Sequence, residues 1–304
     1  VLKNVRRYFR YDLQMSCKIL PVQDFVEVNE RLQVILEPSF STIQNQRNLE
    51  QLIGKLKTAQ SKSLPIFTTL EQRLEFIAWM LKHFAEGKNP KLQSGFAQKY
   101  KLDKAQKRPN LSESSHIAPL ILGLYDQIDW VISELLDVIR NTLRDTIFFF
   151  PVSQLENFFS TKYITNLSSL AGREILPAQI LESLIAHFNV QIESMNLLIE
   201  EHKEVSDIRL WPNDKINLSA GGIAFNTRNH FEKFSLVDCL LNMDGKILLM
   251  RGKVLNQIEQ RMGTFKTVVD FVLPTEVEQS QIHLFIQKAE LIETMEWQKS
   301  QSDT

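Results

Sequence analysis

Residues 12–19 alternate strictly, with Leu13, Met15, Cys17 and Ile19 on one face and Asp12, Gln14, Ser16 and Lys18 on the other. That is the pattern of a half-buried β-strand. The alternation then disappears for about 180 residues and returns near Ile208. From there, β-like segments follow at 215–218, 222–225, 234–241, 247–258 and 265–272, separated by turn signals such as Asp244-Gly245. A helix over 276–297 closes the chain, with Ile282, Phe285, Ile286, Ala289 and Ile292 as its apolar stripe. One strand at the start, about five at the end and a terminal helix describe a small antiparallel barrel.

The stretch between reads as helix almost throughout. Ile66, Leu70, Leu74, Ile77, Leu81 and Phe84 keep helical spacing behind Pro65, which suits a first turn. A polar stretch at 101–115, with Pro109-Asn110, breaks the pattern. Ile117, Ile121, Leu124, Ile128, Val131, Leu135, Val138 and Thr142 then form a heptad seam, and Leu181, Leu184, Phe188, Gln191, Met195 and Leu198 a second one. Between the seams lie Phe148, Phe149, Phe150, Phe158 and Phe159. The seams can close as a hairpin within one chain or as a bundle between chains. Apolar residues beside them, such as Ile132, Leu136 and Ile139, give each helix a second hydrophobic face. That surplus leads to the expectation that the bundle also forms a homo-oligomer interface.

Composition narrows the function classes. Lys+Arg number 35 against 36 for Asp+Glu, so no overall basic field is available for a nucleic-acid backbone or an anionic membrane. No apolar run is long enough to span a bilayer, and the first residues form no signal-peptide core, so a soluble, cytoplasmic protein is expected. The chain starts at Val1 without an initiator Met, as if within a longer gene product. Cys17 and Cys239 sit in strand-like segments and are expected to be buried apolar residues. The six histidines lack HExxH or CxxC companions, so no metal site is expected. Neither a GxSxG elbow, a phosphate-binding GxxxxGK[ST] loop nor a GxGxxG turn occurs, and the chain reads as a non-enzyme.

Two short motifs remain. Arg6-Arg7-Tyr8-Phe9-Arg10 stands ahead of the first strand, and Asn217-Leu218-Ser219-Ala220-Gly221-Gly222 lies at a turn between later strands. These resemble the RxxxR and [D/N]xSxxG signatures of the PilZ family, in the same order relative to the strands and the terminal helix. The resemblance implies an α+β protein. A discontinuous PilZ-type β-barrel would comprise 1–21 and 207–297, with a large helical insertion at 22–206 and a tail at 298–304. It also implies a receptor for cyclic di-GMP that needs no cofactor and passes the messenger's level to a downstream protein. Arg6 and Arg10 would contact phosphate and guanine, with Arg7 as an auxiliary, because a guanidinium fork matches either group with two parallel hydrogen bonds. Asn217 and Ser219 would pair with the guanine edge or a phosphate, and Gly222 would shape the turn for close approach of the ligand. Motility, adhesion, polysaccharide export and virulence are the processes the family serves. The sequence departs from the family where 22–206 separates the first two strands, and the alternative reading is an oligomeric PilZ-fold adaptor that no longer binds nucleotide. Neither a GGDEF-like nor an EAL-like signature occurs.

Overall fold

A computed structural model describes residues 8–22, 30–37, 39–111, 117–158, 161–173, 175–260 and 263–302. In chain order its elements are β1 (Tyr11–Pro21), α1 (Gln33–Leu36), α2 (Phe40–Thr58), α3 (Leu64–Ala85), α4 (Phe96–Ala105), α5 (Ala118–Asn141), α6 (Thr161–Gly172), α7 (Leu176–Ser206), β2 (Asn213–Ser219), β3 (Gly222–Thr227), β4 (Leu236–Met243), β5 (Lys246–Glu259), β6 (Phe265–Phe271) and α8 (Glu276–Ser302). The protein is α+β. Its chain divides into two compact units, Val1–Phe25 with Asp207–Thr304, and Val26–Ser206.

The first unit is a closed antiparallel barrel in the order β1-β2-β3-β6-β5-β4. β1 makes the closure by changing partner midway: residues 11–16 pair with β2, and 17–21 pair with β4. Its inward residues Leu13, Met15 and Cys17 meet Ile216, Leu218, Val237, Cys239 and Val269 in one apolar core. β4 and β5 are joined at Met243↔Lys246 by Asp244-Gly245, both at positive φ (53° and 84°). This is the two-residue type I′ geometry that an Asp-Gly pair favours. α8 starts at a capping box, in which Thr275 N–H donates to Glu278 Oε2 at 2.7 Å and Glu278 N–H to Thr275 Oγ1 at 3.3 Å. Ile282 and Ile286 join the barrel core, whereas Ile292, the last member of the expected stripe, is 47% exposed. The strand expected from Phe234 begins at Leu236, because Phe234 has a left-handed φ of 70°. Both cysteines are buried, and desolvation pushes the Cys17 thiol up to about 12 and Cys239 higher still, so neither is a nucleophile near neutral pH.

In the second unit α7 carries α2, α3, α5 and α6, and α3 packs against α5 as well as α7. Leu124, Ile128, Leu135, Leu181, Leu184, Phe188, Met195 and Leu198 are fully buried within this one chain. The flanking residues Ile132, Ile139, Ile185, Ile192 and Ile199 are buried as well. The seam and flanking residues are therefore covered within the chain by α2, α3 and α6. Gln191, a polar seam member, is accommodated because its Nε2 donates to the Leu74 carbonyl of α3 at 2.9 Å. The expected break at 101–115 begins later than its polarity suggests, since α4 runs to Ala105. Asp103 on α4 is drawn inward by Arg73 of α3, whose Nε donates to Asp103 Oδ1 at 2.8 Å.

His202 lies against Phe150, stacked at 5.1 Å, and edge-on to Phe148 at 5.6 Å. Burial pushes its pKa down to about 4, and burial lowers His187 as well. The unfolded chain takes up these protons near the ordinary imidazole value of about 6.5, whereas folded His202 stays neutral until about 4. Stability is thus complete above about pH 6.5 and falls as the pH drops toward about 4, by a few kcal/mol at most. The expected result is a melting temperature that declines across this window and a shallower decline in His202→Phe. Equal slopes in the two proteins would mean that His202 does not contribute.

Candidate functional site

The pairing of β1 with β2 brings the two motifs together. Asp12 stands opposite Asn217, Asn217 opposite Ala224, and Ser219 opposite Gly222 across the turn Ala220-Gly221. Arg10, two residues before Asp12 and exposed, lines one depression with Asn217, Gly222, Ile223, Ala224, Val268 and Val269. Its volume is about 10 Å3, the room of one water, so a larger ligand would lie on this surface rather than inside it. Arg6 and Arg7 lie outside the described residues.

Close packing explains the glycine pair. A Cβ on Gly222 would stand 2.4 Å from the Val269 carbonyl oxygen, and one on Gly221 would stand 2.5 Å from the Tyr8 ring. Neither glycine has left-handed backbone, so the requirement is space rather than positive φ. Tyr8, which precedes β1, rests on the turn and also approaches the His283 ring of α8 at 6.3 Å. Ser219 is buried, and its hydroxyl donates to the Gly222 carbonyl at 3.1 Å. This bond holds the turn closed.

Asn217 Nδ2 donates to Asp12 Oδ1 at 2.6 Å, and Lys215 Nζ lies 3.9 Å from Asp12 Oδ2. Asn217 Oδ1 and the Asp12 carboxylate are the acceptors here, and Arg10 lines the same depression as Asn217. Phe9 adds an aromatic face, 59% exposed and stacked on Tyr11 at 6.4 Å. Tyr11 in turn donates to Glu293 of α8, and that hydrogen bond holds its phenol protonated up to about 12. The arrangement can offer donors to a phosphate or to guanine O6 and N7, acceptors to the guanine N1–H and N2–H edge, and a ring for stacking.

Tyr8, Asp12 and Gly221 were not singled out by the sequence reading. The Gly-Gly doublet was visible, but Asp12 becomes part of the site only once β1 and β2 are in register. A second and larger cavity, about 720 Å3, lies toward the other ends of β1, β2 and β3 and contains none of the motif residues. Among the described residues no group of three or more His, Cys, Asp or Glu is placed to hold a metal, and no helix is long and apolar enough to cross a membrane. No family model matches the chain, and neither the curated proteins nor the solved structures contain a match to it.

Proposed function

We propose that the barrel is a PilZ-type receptor for cyclic di-GMP, and that 22–206 is a helical insertion through which ligand state is passed to a downstream protein. The observation that carries this reading is the shared depression of Arg10, Asn217 and Gly222, residues about 200 positions apart in the chain. Arg10 supplies paired donors to a phosphate or a guanine. Asn217 Oδ1 and Asp12 take the guanine donors, and Gly222, packed against the Val269 carbonyl, shapes the turn that carries Asn217. Such a receptor acts in the cytoplasm, where the messenger is made, and carries out no chemistry on it. Loss of one charge-assisted pair costs about 1.5 to 3 kcal/mol. Arg10→Ala is therefore expected to weaken cyclic di-GMP roughly ten- to a hundredfold by isothermal calorimetry, with the far-ultraviolet spectrum unchanged. Wild-type protein that gives no heat at ligand well above the micromolar range would end the receptor reading.

One observation favours the alternative, an adaptor that no longer binds nucleotide. Asn217 already spends one of its two amide N–H donors on Asp12, whose carboxylate adds a negative charge next to Asn217. The same titration separates the two readings.

A further inference from the structure

The barrel wall has a gap between β2 and β3. These strands pair only at Asn217↔Ala224, Leu218↔Ile223 and Ser219↔Gly222, although β2 reaches back to Asn213 and β3 on to Thr227. In an antiparallel ladder a residue's N–H and C=O point the same way, and neighbouring residues alternate. The Cys17 N–H bond to the Pro212 carbonyl, 3.1 Å, therefore directs Asp214 and Ile216 toward β1 and Lys215 toward β3. The Phe271 N–H bond to the Gly221 carbonyl, 2.9 Å, likewise directs Phe225 and Thr227 toward β6 and Asn226 toward β2. The edges at Lys215 and Asn226 thus face each other without forming a ladder pair. The cavity of about 720 Å3 lies between them.

Its lining suits one kind of occupant. Ile216, Phe225 and Phe231 provide a buried apolar floor, while Lys18, Lys215 and Arg228 outnumber the one acid, Asp214. Two strand edges without a ladder partner among the described residues, over an apolar floor, are what an added strand requires: main-chain bonds supply affinity, and alternate side chains enter the floor. We propose that this gap is a docking site for an extended, acidic segment of a partner protein, which adds a strand between β2 and β3. The site stands apart from the Arg10 depression, and its test needs no nucleotide, so either reading can fail without the other.

The probe is a fluorescein-labelled peptide alternating Glu with Val, compared with its Lys-for-Glu counterpart. Anisotropy is expected to show saturable binding of the acidic peptide only, with slowed amide exchange at Lys215 and Asn226. Asn226→Pro removes an N–H that faces the gap and leaves the Phe225 and Thr227 bonds to β6 in place, so it is expected to abolish binding in a folded barrel. Should that variant misfold, Lys215→Glu with Arg228→Glu serves instead, with an expected loss of at least tenfold. The proposal is overturned by any of three results: no saturation at millimolar peptide, equal binding of the basic peptide, or unchanged affinity in a folded Asn226→Pro or doubly charge-reversed protein.

Discussion

Met195→Glu is expected to unfold the helical unit. Met195 is fully buried on α7 in the apolar core of the same chain. Placing an unpaired charge there costs several kcal/mol, and protonating the carboxyl to avoid it still leaves a polar group without hydrogen bonds. A cost of that size is comparable with the whole stability of a domain, about 5 to 15 kcal/mol. Had the second seam been a contact between chains, the same substitution would have produced a folded, dissociated protein. The measurement is circular dichroism at 222 nm with light scattering. Loss of helix is expected for Met195→Glu and equally for Leu135→Glu, which is also fully buried. Met195→Leu, which conserves volume, is expected to stay within about 1.5 kcal/mol of wild type. A Met195→Glu protein that keeps its helix but halves its mass would restore the interchain seam.

Arg73→Met is expected to be the second most damaging change. Arg73 is 2% exposed, and its side chain bonds Asp103 at 2.8 Å and Asp129 at 2.7 Å, with the guanidinium carbon 4.5 Å from the centre of the Tyr125 ring. Asp129 reaches solvent, but the Asp103 side chain is 5% exposed and has no comparable escape. Removing Arg73 therefore leaves a buried carboxylate without its counter-charge, a loss of about 3 to 5 kcal/mol. Removing both charges together avoids that penalty. Urea denaturation is expected to show most of the stability returning in Arg73→Met with Asp103→Leu. A single variant that loses less than about 1 kcal/mol would mean the pair behaves as a solvated surface bridge.

Both cases show where local pattern runs out. The heptad spacing of α5 and α7 identified residues that are in fact buried, yet the choice of covering surface lay with α2, α3 and α6. The polarity of 101–105 spoke against helix, and only the Arg73 partner, 30 residues away, explains why Asp103 sits inside one. At the candidate site, the second motif was legible because glycines and a small hydroxyl at a turn are a local signal. The use of Ser219 to close the turn, and the arrival of Asp12 beside Asn217, were not.

Period-two alternation made β1 and the later strands readable, Asp244-Gly245 specified a hairpin, and Thr275 with Glu278 started α8. Each depends on residues within a few positions of one another, whose conformational preferences act before any long-range contact forms. Tertiary structure decided that β1 leaves β2 for β4 at Cys17, that the seams close within one chain, and that β2 and β3 part beyond Asn217 and Ala224. A periodic pattern records which face of an element must leave water. It carries no record of what will cover that face, because register and partner are set by the fit of surfaces far apart in the chain.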